Sequence, residues 1–76
     1  MKKVNIKFDT IVQIQNFVNN MGCYSSDVDL ISGSRTVDAK SIIGVFSLDI
    51  SNPITLQASG KDEDSVIDYV KDMIVE

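Results

Sequence analysis

Two apolar stripes with helical spacing lie near opposite ends of this 76-residue chain, and they restrict its fold more than any other feature. Apolar side chains that recur every three or four residues share one face of an α-helix, and that face must be buried. A chain of this length forms one domain, so we expect residues 1–76 to be a single domain in which both helices cover a shared layer. The stripes comprise Ile11, Ile14, Phe17, Val18 and Met21 in the first helix, and Val66, Ile67, Val70, Met73 and Ile74 in the second.

Signals for helix ends flank both stripes. Thr10 and Gln13 have the spacing of a capping box, which predicts that the first helix begins after Thr10. Gly22 suits the left-handed conformation that closes many helices, so it predicts the end of that helix. The acidic residues 62–64 precede the second stripe, and negative charge is favourable at a helix N-terminus. We therefore interpret this acidic run as a first helical turn rather than as a metal site or an acid–base pair.

The shared layer is predicted from four segments in which apolar and polar residues alternate, which is the period of a half-buried strand. The turn sequence Ser-Gly-Ser at residues 32–34 joins two of them as a hairpin. With a short helix before the last strand, the predicted order is β-α-β-β-α-β-α. This order indicates an α+β fold in which helices cover one face of a four-stranded antiparallel sheet. The alternating segments are residues 4–8, 28–30, 36–40 and 54–59.

The segment "SIIGVFSL", residues 41–48, predicts a helix of about two turns that is apolar on several sides. Ile42 and Phe46 lie four residues apart on one face, with Ile43 beside them. These side chains can belong to the core, but so short a helix cannot bury every side, and an exposed apolar cluster marks a docking site. Two cations can flank such a site, Arg35 and Lys40.

Ser41 precedes this helix and has two interpretations. As an N-cap, its hydroxyl oxygen accepts a hydrogen bond from a free amide, which stabilises a helix by about 1 kcal/mol. As a phosphorylation site, it places a dianion at a helix N-terminus beside Lys40, where dipole and amides favour it. The modification adds about two negative charges next to the apolar cluster without disturbing the fold. Most N-cap serines are only caps, so the residues alone leave both interpretations open.

Composition excludes several classes of function. The chain has no histidine, which removes the commonest general base and most zinc sites, and its four glycines form no phosphate-binding loop. Cys23 is a lone cysteine, so we expect a small buried residue near a helix end and no disulfide. The net charge of −4 disfavours nucleic acid binding, and no apolar run reaches the length of a membrane span. We expect a cytoplasmic protein that is not an enzyme and binds no metal or cofactor.

One segment resembles a known family. "RTVDAKSIIGVFSLDI", residues 35–50, is similar to the regulatory-serine segment of HPr, the histidine-containing phosphocarrier of the bacterial sugar phosphotransferase system. "ITLQASGKDEDSVIDYV", residues 54–70, is similar to the family's fourth strand, the turn after it and the acidic start of its last helix. The resemblance implies the HPr fold, an open-faced β sandwich with the element order predicted above.

The amino-terminal third departs from the family. HPr places its phosphate-accepting histidine in a Gly-x-His-Ala-Arg-Pro-Ala motif at the start of the first helix. Here that region reads "FDTIVQIQNF", residues 8–17, and Thr10 or Ile11 stands where the acceptor would be. Neither side chain forms a phosphoimidazole, so phosphate relay is not implied. The sequence resembles the Crh-like regulatory branch, which lacks the histidine and keeps the serine.

This resemblance implies a switch at Ser41. In the regulatory branch, HPr kinase/phosphorylase modifies the serine, and the phosphoprotein binds a LacI-type transcription regulator through the short helix. A second hypothesis keeps the fold as a binding or self-assembly module without covalent control. Under either hypothesis we expect a monomer or a weak dimer. The residues implied in docking are Ile42, Ile43 and Phe46, with Arg35 and Lys40 as rim contacts.

Overall fold

The computed structural model describes residues 1–75, and within them it contains four strands and three α-helices. A 3-10 turn, Lys71–Met73, follows the last helix. The predicted order of strands and helices is therefore confirmed. In chain order the elements are β1 (Lys2–Ile6), α1 (Ile11–Met21), β2 (Asp27–Ser32), β3 (Arg35–Asp38), α2 (Ile42–Phe46), β4 (Ile54–Ser59) and α3 (Glu63–Val70).

The four strands form one antiparallel sheet in the order β1-β4-β2-β3. Because side chains alternate along a strand, the register sorts them into two faces. One row across the sheet runs Val4, Leu56, Leu30 and Val37, all buried or half-buried. The neighbouring row starts at Asn5 and contains no buried residue. The sheet is thus covered on one face, which confirms the predicted open-faced α+β sandwich.

The core lies between the covered sheet face and the two helical stripes. Phe8 and Phe17 meet edge to face with ring centroids 5.2 Å apart, a favoured geometry for aromatic pairs. Side chains from all four strand segments and all three α-helices join one apolar cluster. Its members include Ile6, Ile14, Phe17, Met21, Val28, Leu30, Ala39, Val45, Leu56, Val66 and Val70.

The start of α1 follows the prediction closely and its end does not. The Thr10 Oγ1 atom accepts a hydrogen bond from the Gln13 amide at 3.0 Å, while the Gln13 Oε1 atom accepts from the Asp9 amide rather than from Thr10. Gly22 has φ −63°, so the left-handed end predicted there was wrong. The turn continues right-handed because the next two amides donate to carbonyls of the last helical turn. Cys23 is exposed, so its predicted burial was also wrong.

The second stripe ends earlier than its spacing predicts. Helix α3 stops at Val70, and Ile74 forms an antiparallel bridge with Ile6. The Lys7 amide donates to the Met73 carbonyl at 3.0 Å. Assigning Ile74 to the helix was therefore wrong, whereas Met73 ends the 3-10 turn that continues α3 and packs against the core. The physical reason is that β1 is an edge strand, and this segment satisfies backbone groups that the sheet leaves unpaired.

Candidate functional site

Ser41 is the N-cap of α2, as predicted. Its backbone is extended, with φ −104° and ψ 111°, and its Oγ atom accepts a hydrogen bond from the Gly44 amide at 3.2 Å. The Ser41 carbonyl begins the helical ladder by accepting from the Val45 amide at 3.0 Å. The residue is exposed, so its hydroxyl combines a capping role with access from solvent.

Helix α2 has a buried side and an exposed side. Val45 is fully buried in the core, and Leu48 just beyond the helix is nearly so. The opposite side carries three apolar residues that we call the α2 patch, with exposed fractions of 39% for Ile42, 81% for Ile43 and 39% for Phe46. Because Ile43 is almost wholly in solvent, a core role for the whole set is ruled out. The structure therefore provides the apolar surface that the sequence predicts.

Gly44 allows α2 to lie close to the sheet. A Cβ atom at this position would stand 3.3 Å from both the Val37 Cβ atom and the Ser41 Oγ atom. That spacing is tighter than ordinary van der Waals contact, so a larger residue would push the helix away from β3. The close approach fixes the orientation of the α2 patch relative to the sheet.

The two predicted rim cations have different partners. The Arg35 Nη2 atom, on β3, donates to the Ser47 Oγ atom at 3.1 Å, which places the guanidinium at the C-terminal end of α2. The Lys40 Nζ atom donates to the Tyr24 carbonyl at 2.9 Å, and Lys40 is half-buried. The structure thus brings Arg35 to α2 and engages the Lys40 ammonium with the loop between α1 and β2. Sequence reasoning missed Ser47, because no local pattern signals its contact with Arg35.

The N-terminus of α1 is a second exposed apolar region. Ile11 is 60% exposed, so its place in the buried stripe was wrong, and Val12 is exposed to a similar degree. Ile11 lines a cleft of about 280 Å³ together with Phe8 and Ile50. Ile11 and Val12 occupy the exposed first turn of α1, and the buried residues of this helix begin at Ile14.

The acidic start of α3 has a structural role. Asp62 is the N-cap residue but forms no cap with its own helix. Its carboxylate accepts hydrogen bonds from the backbone amides and hydroxyls of Ser25 and Ser26. These bonds, led by that from the Ser26 hydroxyl, lower the pKa of Asp62 to about 2. Ser26 is only 1% exposed, so this contact ties a buried part of the α1–β2 loop to α3.

Neither a membrane segment nor a metal cluster is found in residues 1–75. No helix there has both the length and the apolar character needed to cross a bilayer. No three histidine, cysteine or acidic side chains of that range gather closely enough to hold a metal ion.

Comparisons with known proteins show similarity to one family over most of the chain. The family model described as PTS HPr component phosphorylation site matches residues 13–76. The HPr-like protein Crh of Bacillus subtilis (strain 168) is 35% identical over 72 residues, which cover 88% of this chain and 85% of Crh.

Solved structures agree with the fold. The crystal structure of HPr-C-His from Thermoanaerobacter tengcongensis has a TM-score of 0.85 and 32% identity, over 95% of this chain and 89% of that one. The structure of Bacillus subtilis Crh, described as an intertwined dimer with a swapped domain, has a TM-score of 0.70 and 28% identity, over 93% and 88% of the two chains. These matches confirm the resemblance and link the chain to the phosphotransferase system or to carbon regulation. The chain belongs to the HPr family and has Crh-like character.

Proposed function

We propose that this protein is a non-catalytic regulatory adaptor that is phosphorylated on Ser41 and docks protein partners through the α2 patch. The observation that carries the proposal is the placement of Ser41, whose exposed hydroxyl caps the helix that presents Ile42, Ile43 and Phe46 to solvent. A modification there changes the charge of a docking surface at its border.

Phosphorylation suits the geometry of Ser41. A kinase transfers the γ-phosphoryl group of ATP to the Oγ atom, so that an O–P bond forms, the bond to the ADP leaving group breaks and the hydroxyl proton is lost. The product keeps an oxygen near the Gly44 amide, and negative charge at a helix N-terminus is favourable. The fold is therefore expected to persist, while about two negative charges appear beside the α2 patch.

A phosphate relay through histidine is not part of the proposal. The chain contains no histidine, and Thr10 and Ile11 occupy the start of α1. The Thr10 hydroxyl oxygen caps that helix. A phosphothreonine ester is moreover too stable to pass phosphate onward, so capping accounts for this residue.

The partners of the adaptor follow from family membership. We expect HPr kinase/phosphorylase to modify Ser41 and a LacI-type transcription regulator to bind the phosphoprotein. The similarity to Crh, at 35% identity, supports this part of the proposal. The α2 patch offers the apolar contacts, and Arg35 and Lys40 remain the proposed rim cations.

Phosphate mapping tests the proposal. The protein is incubated with ATP and an HPr kinase/phosphorylase, and modified residues are located by mass spectrometry. We expect label on Ser41 and none on Ser47, an exposed serine six residues away that serves as an internal control. Ser41→Ala should abolish labelling. Absence of label at Ser41 with a cognate kinase, or label that persists in Ser41→Ala, would refute the proposal.

A second function is self-assembly through the same surface. The observation in its favour is the joint exposure of Ile42, Ile43 and Phe46, since a contiguous apolar patch in solvent marks an interaction surface. Sedimentation across a concentration series tests it, with Phe46→Lys as the variant. Dimerisation that is lost in Phe46→Lys would favour this function over the adaptor, and a monomer at all concentrations would exclude it.

A further inference from the structure

Ser47 connects the docking helix to Arg35 by two hydrogen bonds. Its Oγ atom accepts from the Arg35 Nη2 atom at 3.1 Å and donates to the Gly44 carbonyl at 2.6 Å. The hydrogen bond to the Gly44 carbonyl fixes the position of the Ser47 hydroxyl. The hydroxyl in turn holds the guanidinium beside the C-terminal end of α2. The Lys40 ammonium is not held beside α2 in this way; it donates to the Tyr24 carbonyl.

The Arg35 guanidinium keeps most of its binding capacity in this position. Arginine has five N–H donors in a planar fork, and only one hydrogen bond from this side chain is formed within residues 1–75. No carboxylate of that range lies within ion-pair distance of Arg35. The Asp49 carboxylate, two residues after Ser47 in the sequence, accepts hydrogen bonds from Ser51 and Asn52. An uncompensated cation thus stands one residue beyond Phe46, at the border of the α2 patch.

We propose that Ser47 is a positioning residue that holds the Arg35 guanidinium at the C-terminal end of α2, where it pairs with a carboxylate of the docking protein. This inference rests on the proposed function and specifies the partner, which combines an apolar contact for Ile43 and Phe46 with an acidic residue for Arg35. A planar guanidinium matches a carboxylate in a bidentate geometry, and holding it in place reduces the side-chain entropy lost on binding.

The arrangement also sets the orientation of docking. Ser41 and Ser47 stand at opposite ends of α2, about 9 Å apart at 1.5 Å per helical residue. When Ser41 is phosphorylated, one end of the patch is negative and the other is positive. A partner with one positive and one negative group meets opposite charges at both ends of the patch in one orientation. In the reversed orientation it meets like charges, so a single orientation is favoured.

A kinetic experiment with HPr kinase/phosphorylase as the docking probe tests the inference. The KM for the protein substrate and the kcat for Ser41 phosphorylation are measured for the native chain, Arg35→Ala, Ser47→Ala and the double variant. We expect Arg35→Ala to raise KM about fivefold with kcat unchanged, since an exposed charge pair is lost. Ser47→Ala should raise KM about twofold to threefold, as expected for the loss of one positioning hydrogen bond.

Three comparisons separate positioning from a merely structural role. The double variant should have the KM of Arg35→Ala alone, because Ser47 acts only through Arg35. Ser47→Thr, which keeps the hydroxyl, should restore the native KM. The exposed Lys61, in the turn before α3, provides the matched control, and Lys61→Ala should leave KM unchanged although it removes the same charge.

The outcomes are distinct. Additive effects of the two alanine variants, or an unchanged KM in Arg35→Ala, would overturn the inference while Ser41 is still labelled. Absence of labelling would refute both the proposed function and the pairing of Arg35 with a carboxylate of the partner. The positioning itself is then decided by the ¹⁵N order parameter of the Arg35 Nε atom, which should fall in Ser47→Ala and stay unchanged in Lys61→Ala. An order parameter that is equally low in the native chain would refute it.

Discussion

Val45 and Ile43 lie two residues apart in α2 but have opposite environments, and this difference leads to a quantitative prediction. Val45 is fully buried, whereas Ile43 is 81% exposed. Truncation to alanine removes two carbons from Val45 and three from Ile43, so removed apolar volume alone would make Ile43→Ala the more damaging change. Burial predicts the reverse order, because only atoms removed from water on folding contribute to the stability.

The expected magnitudes follow from the two environments. For Val45→Ala, the lost transfer free energy is about 1.6 kcal/mol at about 0.8 kcal/mol per carbon, and the cavity left in the core adds to it. The higher helix propensity of alanine returns about 0.5 kcal/mol, so the free energy of unfolding should fall by about 2 kcal/mol. For Ile43→Ala, little burial is lost and the propensity gain remains, so stability should change by less than about 0.5 kcal/mol.

Urea denaturation followed by circular dichroism measures both variants. In a domain of this size, about 2 kcal/mol corresponds to a fall in Tm of about 10 °C. Partner binding should respond in the opposite way, since Ile43→Ala removes the most exposed part of the α2 patch and Val45→Ala does not touch it. A loss of stability in Ile43→Ala equal to that in Val45→Ala would refute the assignment of a buried and an exposed side to α2.

Three further predictions concern Asp62, Gly60 and Ser41. The pKa of Asp62 is about 2, below its ordinary value of 3.8, so the stability from its hydrogen bonds is present above pH 4 and is lost as the pH falls toward 2. Urea midpoints measured across this range should therefore fall less in Asp62→Asn than in the native chain, and equal slopes would contradict the assignment. Gly60→Ala should destabilise the fold by more than about 1 kcal/mol in the same assay, because Gly60 has φ +147° and the new Cβ atom would stand 2.6 Å from the Ser26 Oγ atom. An unchanged urea midpoint would show that the loop relaxes freely. Ser41→Ala should lower the free energy of unfolding by about 1 kcal/mol through loss of the cap. Ser41→Asp, whose carboxylate can accept a hydrogen bond from the same Gly44 amide, should restore the stability and so separate capping from phosphorylation. Unchanged stability in Ser41→Ala would show that the cap is unimportant.

The features predicted correctly from the sequence are those that local spacing determines. Alternation with a period of two located the strands, and the positions of Thr10 and Ser41 ahead of apolar runs located two helix starts. The exposed side of α2 was also predictable, because a helix of five residues cannot bury apolar side chains all around its axis. Each of these inferences needs only neighbours within one or two turns of the chain.

The errors at Ile74 and Ile11, and the missed role of Ser47, concern contacts between distant segments. Ile74 has the right spacing for the second stripe, yet it pairs with Ile6, and the sequence does not show that an edge strand will recruit it. Ile11 fits the first stripe, but whether the first turn of α1 covers the core depends on how the helix is placed on the sheet. The contact between Arg35 and Ser47 joins residues in different elements, and no periodic pattern encodes it.

Gly44 has a role beyond its small size, because both polar groups of its backbone bind serine hydroxyls. Its amide donates to the Ser41 Oγ atom and its carbonyl accepts from the Ser47 Oγ atom. Ser47 in turn accepts from Arg35, so three hydrogen bonds and the Gly44 backbone link the serine at one end of α2 to the cation at the other. A phosphate on Ser41 draws more strongly on the Gly44 amide, and polarisation of the Ile43–Gly44 peptide group strengthens the Ile43 carbonyl, which accepts from the Ser47 amide at 3.1 Å. The charge state of the serine that precedes α2 is thereby coupled, through one peptide group, to the serine that follows α2 and holds the arginine.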